Sequence, residues 1–255
     1  MAGPLPIAWL NGEFVALESA RISPLDRGFL FADSVYEVLP VYASRPFLFN
    51  AHIGRLERSL AAIGMTPPMD RAQWVDLLGQ MVERNGGGEQ FIYIQVTRGA
   101  EFGRNHAPAA GLAPTIFMMA SPLSALDPMI RVQGVDAVTV ADERWRRCDI
   151  KSTSLLPNIL AKGVAAAAGA TEAILLAEGC LREGSSSSVM LVKDDVIHAP
   201  PEGPHILPST TRALALELAR RSSIPVEIAE ITESQLRSAD EVILGFATRG
   251  VLPVC

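Results

Sequence analysis

The chain has 255 residues, 49% of them apolar and 20% charged, enough to bury a full core as one large or two modest domains. Its formal charge of −6 argues against nucleic acid or an anionic membrane as the main partner. No apolar run is long enough to span a bilayer, and MAGPLPIAWLNGEF has neither the basic start nor the long apolar stretch of a secretory leader.

In chain order, IAWLNGEFVAL predicts a hairpin turning at Asn11-Gly12. SVYEVLPVYASRPFLF predicts a second hairpin, rich in β-branched and aromatic residues. Ile53, Leu56, Leu60 and Ile63 in AHIGRLERSLAAIG have helical spacing, and DRAQWVDLLGQMVERN is a second amphipathic helix ending before three glycines. FIYIQVTRG and PTIFMMASP predict buried strands. SPLSALDPM, at 121–129, is the expected linker between an N-terminal domain at 1–120 and a C-terminal domain at 130–255. Beyond it come a strand (VDAVTVADE), a strand-like run (CDIKSTSLL), a helix (LLPNILAKGVAAAAGA) and a strand (TEAILLAEG). A hairpin turning at Lys193-Asp194-Asp195, a helix (STTRALALELARRSS) and one or two strands in DEVILGFATRGVLPV complete two α+β units.

Cys148, Cys180 and Cys255 form no even disulfide framework, and no Cys-x-x-Cys spacing suits a metal, so no metal site and a reducing cytoplasm are expected. Of the 22 basic residues only Lys151, Lys162 and Lys193 are lysines. Lys193 falls in a turn beside two aspartates and reads as a solvated cation, and Lys162 reads as a surface residue of an alanine-rich helix. Lys151 follows the basic knot Arg144, Arg146 and Arg147 and precedes an apolar run. Burial near other cations lowers an amine's pKa, as a nucleophile needs; an ion pair with Asp149 or Asp142 is the alternative.

Three further patterns bear on chemistry. The serines of REGSSSSVML offer hydroxyls and backbone N–H groups for an anion or a polar ring, or simply a flexible turn, with Glu183 beside them. Pro208 followed by Ser209, Thr210 and Thr211 marks a helix start, where unpaired N–H groups and the macrodipole favour an anion; most such starts are only capped. Arg104 and His106, two apart in VTRGAEFGRNHAP, suit a clamp on a carboxylate.

Taken in order, RCDIKSTSLLPNILAK, EGSSSS, DRGFLFADSVYEV and AHIGRLERS resemble the fold-type-IV pyridoxal-phosphate aminotransferases across nearly the whole chain. The resemblance implies an α+β or α/β fold with a small N-terminal α/β domain and a larger C-terminal cofactor-binding domain. It implies that Lys151 forms the Schiff base with pyridoxal 5′-phosphate and shuttles the proton, and that Glu183 pairs with the pyridine nitrogen. Arg55 would bind the phosphate, with Thr210, Thr211, Ser187 and Thr248 as further cofactor contacts. The Arg104-Asn105-His106 element is similar to that of the D-amino acid aminotransferases, which implies a carboxylate trap of Arg104, His106 and Tyr36. The implied reaction is ping-pong transfer between a D-amino acid and a 2-oxo acid, in a homodimer whose site borrows loops from its partner. The alternatives are a branched-chain aminotransferase, an (R)-amine transaminase, an aminodeoxychorismate lyase, or a non-catalytic cofactor-binding relative.

Three departures stand out. Ser188 replaces the asparagine of the usual EGSSSN, removing a side-chain amide. Ala247 occupies the place of a phosphate-contacting threonine, with Thr248 beside it. Family chains also run a few tens of residues past the position of Cys255.

Overall fold

In the computed structural model, which describes residues 3–255, the Asn11-Gly12 turn joins β1 (Ile7–Leu10) to β2 (Glu13–Ala16), with Leu10 opposite Glu13. Both turn residues have positive φ, 50° at Asn11 and 108° at Gly12, a conformation asparagine and glycine tolerate best. Residues 1–2, at the start of the expected N-terminal domain, lie outside the described residues.

A one-turn helix absent from the sequence-based expectation follows, α1 (Arg27–Phe31). The Asp26 side chain accepts from the Gly28 N–H at its start, and Ala32 in the left-handed region ends it. The second expected hairpin is β3 (Ser34–Tyr42) with the short β4 (Arg45–Pro46). The two expected helices are α2 (Phe49–Ala62) and α3 (Arg71–Arg84), the latter opened by a capping box of Asp70 and Gln73. β5 (Gln90–Thr97) and β6 (Thr115–Pro122) complete a six-stranded antiparallel sheet of order β2-β1-β6-β5-β3-β4.

Alternation gives that sheet one apolar face: Val35, Leu39 and Val41 of β3, Ile92, Ile94 and Val96 of β5, and Ile116, Met118 and Ala120 of β6. These pack against Ile53, Leu56 and Leu60 of α2 and Trp74, Leu78 and Met81 of α3. Tyr36, Tyr93 and Gln95 occupy the opposite face.

The first compact unit runs to Ser124 and takes in Ile150–Ser154; the second comprises Ala125–Asp149 and Leu155–Cys255. The division thus differs from a single cut at 121–129, and the two units are comparable in length rather than small and large. The reason lies in the CDIKSTSLL run, which is not the strand its alternation suggests. Its Ser152 N–H donates to the Ile150 carbonyl, folding the backbone into a three-residue turn at Lys151. One bridge remains, Val35 opposite Ser152, where β4 leaves the edge of β3 open, and Ile150 joins the first core.

The second unit holds α4 (Pro128–Gln133), β7 (Ala137–Ala141), α5 (Leu156–Ala167), β8 (Glu172–Ala177) and β9 (Cys180–Gly184). β7 runs parallel to β8, and β8 antiparallel to β9, in a three-stranded sheet. Next come β10 (Ser188–Lys193), β11 (Val196–Ala199), α6 (Thr210–Arg221), β12 (Val226–Ile228), α7 (Glu233–Arg237), β13 (Glu241–Phe246) and β14 (Gly250–Val254). The five-stranded sheet has the order β12-β11-β10-β13-β14. Its central strand β10 is buried on both faces: Val189 and Leu191 join the cluster of Ile174 and Leu181, whereas Met190 joins that of Leu216 in α6. Among the described residues no helix is long and apolar enough to cross a membrane.

Candidate active site

In the first unit Lys151 is fixed at both flanks. Its carbonyl accepts from the Tyr36 N–H at 2.9 Å, its own N–H donates to Ser59 Oγ of α2 at 3.1 Å, and the Thr153 N–H donates to the Ser34 carbonyl. The Lys151 Nζ stands 4.2 Å from the Tyr36 ring centroid, and Tyr36 stacks on Tyr93. Burial and the neighbouring Tyr36 push the Tyr93 phenol up to about 12, so it stays neutral and donates to Gln95. Gln95 donates to Ser34 Oγ, which shares a hydrogen bond with Thr153 Oγ1, closing a polar chain around the lysine segment.

The ion-pair alternative for Lys151 fails. Asp142 pairs with Arg144 and Asp149 with Arg147, and among the described residues no carboxylate pairs with the Lys151 ammonium. The other lysines are less free than expected. Lys162 donates to the Thr171 carbonyl and pairs with Glu172, and Lys193 pairs with Asp240 rather than with its turn neighbours.

Arg55 lies beneath this region on the core side of β3. Its Nε and Nη2 donate to the two carboxylate oxygens of Glu37 at 2.9 and 2.6 Å, and His52 Nδ1 is 3.0 Å from Glu37 Oε1. Glu37 is completely buried. Burial opposes its ionisation, but Arg55, His52 and Lys151 together hold its pKa well below the carboxylate range. Glu37 and His52 were missed from sequence; the one signal was a charge in the core-facing alternation Val35, Glu37, Leu39.

Arg104 and His106 lie in an exposed loop of the same unit, both against the Phe31 ring: Arg104 Cζ at 5.0 Å and the His106 ring at 5.5 Å, edge-on. Among the described residues no hydrogen bond or ring contact joins Tyr36 to either of them.

In the second unit Glu183, on β9, is buried and pairs with Arg144, whose other carboxylate partner is Asp142; Glu183 also accepts from the Leu207 N–H. Burial works against charge on Arg144, yet the two carboxylates raise its pKa above the ordinary arginine value. The basic knot therefore dissolves into individual roles, and Arg144 is the member that fixes Glu183. Cys148, pushed up to about 11 by burial, stays a thiol.

The serine loop departs from expectation. Ser185, Ser186 and Ser187 donate their hydroxyls to Glu172, a buried carboxylate at the start of β8, and Ser188 donates to the Gly245 carbonyl. Burial opposes charging Glu172, but these hydroxyls, the Ala173 N–H and Lys162 lower its pKa. The loop's hydroxyls turn inward, and Ser187 donates its proton to Glu172. Gly184 makes the tight turn possible, because a Cβ there would stand 2.0 Å from Ser187 Oγ. Gly184→Ala is expected to lose about 1–3 kcal/mol in urea unfolding through forced repacking.

At the start of α6, Ser209 caps the Arg212 N–H, and Thr210 and Thr211 form the first turn as expected. Arg212 was missed. It is 3% exposed, and its Nε and Nη1 are buried with no hydrogen-bond partner among the described residues; Nη2 reaches the Pro200 carbonyl. Burial lowers its pKa, and an anion at this helix start would meet unsatisfied donors and the helix dipole together. Gly245 faces the same turn, and a Cβ on it would meet Ser188 Oγ at 2.6 Å and Thr211 Cγ2 at 3.6 Å. Thr248 sits in the turn between β13 and β14. Within the second unit the α6 start offers donors that suit an anion and Glu183 a buried carboxylate acceptor; within the first, among the described residues, the Lys151 amine has no carboxylate partner.

Comparison with known proteins agrees. The family model for amino-transferase class IV matches residues 34–255. The chain is 36% identical to a D-alanine aminotransferase of Bacillus licheniformis, over 96% of this chain and 86% of that one. It is 39% identical to a D-alanine aminotransferase of Staphylococcus aureus (strain MSSA476), over 96% and 87%. Among solved structures, the T.th. branched-chain amino acid aminotransferase with pyridoxamine 5′-phosphate superposes with a TM-score of 0.91 at 28% identity, covering 98% of this chain and 85% of that one. On sequence and fold alike, the chain belongs to the class IV aminotransferases.

Proposed function

We propose that the protein is a pyridoxal-phosphate-dependent aminotransferase that exchanges amino groups between D-amino acids and 2-oxo acids. The observation that carries this reading is Lys151: an amine without a carboxylate partner among the described residues, held at both flanks and set against Tyr36. The relatives of 36–39% identity named D-alanine aminotransferase support D-amino acids over the branched-chain L-substrates suggested by the fold neighbours.

When bound, the cofactor supplies an electron sink for charge developing at the substrate α-carbon. Lys151 Nζ holds the cofactor and moves the proton at that α-carbon. Glu183, fixed by Arg144, accepts from the protonated ring nitrogen. Arg55, Thr210, Thr211, Thr248 and the buried donors of Arg212 would hold the phosphate. Tyr36, Arg104 and His106 take the substrate α-carboxylate, which sets the face from which the α-proton leaves. Because Arg104 and His106 are exposed and do not reach Tyr36 within one copy, we place them in the site of a second copy, in a homodimer. The enzyme acts in the cytoplasm. Donor product leaves before the acceptor binds, so initial-rate plots at several acceptor concentrations run parallel.

Purified protein given D-alanine and 2-oxoglutarate should form pyruvate and D-glutamate; turnover of L-leucine alone would move it to the branched-chain class. Loss of a charge-assisted contact to the carboxylate costs about 1.5–3 kcal/mol, so Arg104→Ala should raise the KM for D-alanine by roughly 10- to 100-fold while cofactor retention is unchanged. Equal loss of both would remove Arg104 from carboxylate recognition.

A further inference from the structure

α1 carries one arginine, Arg27, that the reaction does not use directly. Arg27 is 3% exposed, and its guanidinium donors are directed at a single neighbourhood. Nε donates to Asp33 at 2.8 Å, and Nη1 donates to Glu101 and to the Asn105 carbonyl; Nη2 donates to the His106 carbonyl at 2.9 Å. The Asn105 and His106 carbonyls belong to the backbone that carries Arg104 and His106. Four residues on, the Phe31 ring receives three groups: Arg27 at 4.8 Å, Arg104 at 5.0 Å and His106 at 5.5 Å. The i, i+4 spacing puts Arg27 and Phe31 on one face of α1.

The root of the loop is tied to the same helix. The Arg27 N–H donates to the Gly99 carbonyl, and Asp26 bridges to Ala100 and accepts from Thr97 and Thr115. Asp33 is gripped from its other side by Arg98, so the Arg27 guanidinium is itself held in place. The Arg27 guanidinium forks to two carbonyls and two carboxylates at once; an ammonium reaches fewer and cannot stack.

We infer that Arg27 and Phe31 are positioning residues for substrate carboxylate recognition, holding the Arg104–His106 segment in its binding conformation from beneath. This rests on the carboxylate role proposed above. Arg27 fixes the backbone through the two carbonyls, and the Phe31 ring orients the Arg104 and His106 side chains. Neither residue touches substrate. Their removal leaves Arg104 and His106 present but misplaced, which weakens recognition of the carboxylate without altering Lys151.

The test uses the full-length holoenzyme with D-alanine and 2-oxoglutarate, and five variants: Arg27→Lys, Phe31→Leu, Phe31→Tyr, Arg104→Ala and the Phe31→Leu, Arg104→Ala pair. Misplacement of a binding group is expected to raise the KM for D-alanine about tenfold in Arg27→Lys and Phe31→Leu, with kcat within about twofold of the parent. Phe31→Tyr keeps the ring face and should keep the parent KM. The paired variant should raise KM by less than the product of the two single effects, because Phe31 then has only His106 left to position. Phe31 is partly exposed, so Phe31→Leu carries the test if Arg27→Lys does not fold. If Arg104→Ala raises KM but Phe31→Leu, with an unchanged melting temperature, does not, the positioning role is overturned and the carboxylate reading stands. Additive effects in the pair, or a fall in kcat at constant KM, overturn it equally. An unchanged KM in Arg104→Ala, in an enzyme that turns over D-alanine, overturns the carboxylate reading and this inference with it.

Discussion

Lys151→Ala is expected to lower transamination by about 10⁴-fold or more, because one substitution removes both the proton carrier and the covalent anchor. The visible colour of the purified protein should go with it, although the phosphate donors at α6 remain. Borohydride treatment of the parent should fix the cofactor to the peptide containing Lys151, and mass spectrometry of that peptide identifies the attachment directly. Lys162→Ala is the contrasting variant: its ammonium is committed to the Thr171 carbonyl and Glu172, so its loss should touch stability and leave the cofactor linkage in place. Attachment to any other lysine would reject the assignment. The geometry also says why Lys151 serves. Its backbone turn is bolted to Ser59, Tyr36 and Ser34, while among the described residues its ammonium meets the ring face of Tyr36 and the more distant field of Glu37.

Periodicity located the elements well because each buries one recognisable face. The Asn11-Gly12 hairpin, the capped α3 and the alternating β5 and β6 were all legible for that reason. Short elements were not: α1 and α7, at five residues each, carry too little pattern, and their caps act at single residues. The largest misreading, of CDIKSTSLL as a strand, has the same origin. Alternation continues through the run, but the Ser152 to Ile150 hydrogen bond breaks it at the lysine, and no local pattern announces that bond. The residues of the candidate site became readable only when taken together as a family resemblance. Their partners stayed hidden, since pairing Glu37 with Arg55, Arg144 with Glu183, or Glu172 with three serines is a matter of tertiary proximity. Arg27 was hidden twice, in a helix too short to predict and through contacts some eighty residues away.

Glu37→Gln is the substitution expected to cost the most stability, about 3–5 kcal/mol in denaturant unfolding at neutral pH, because it leaves buried cations without their counter-charge. The Glu37 side chain is completely buried, and Arg55 beside it is nearly so; neither can turn to water. The glutamine keeps the shape and can still accept one hydrogen bond, so the loss reports charge rather than volume. Acid gives the same result by another route. Glu37's pKa is depressed in the folded state from its ordinary 4.5, so the pair stabilises fully above that value and progressively less as pH falls below it. The parent should therefore lose stability steeply on acidification below about pH 4.5. Glu37→Gln, already weakened, should show a shallower slope over the same interval. Asp33, Asp142 and Glu172 also have lowered pKa values and remain in the variant, so the slope should flatten without vanishing. Parallel slopes for parent and variant would mean that Glu37 is not ionised in the folded protein. Arg55 would then be held by hydrogen bonds to a neutral partner and by its remaining contacts.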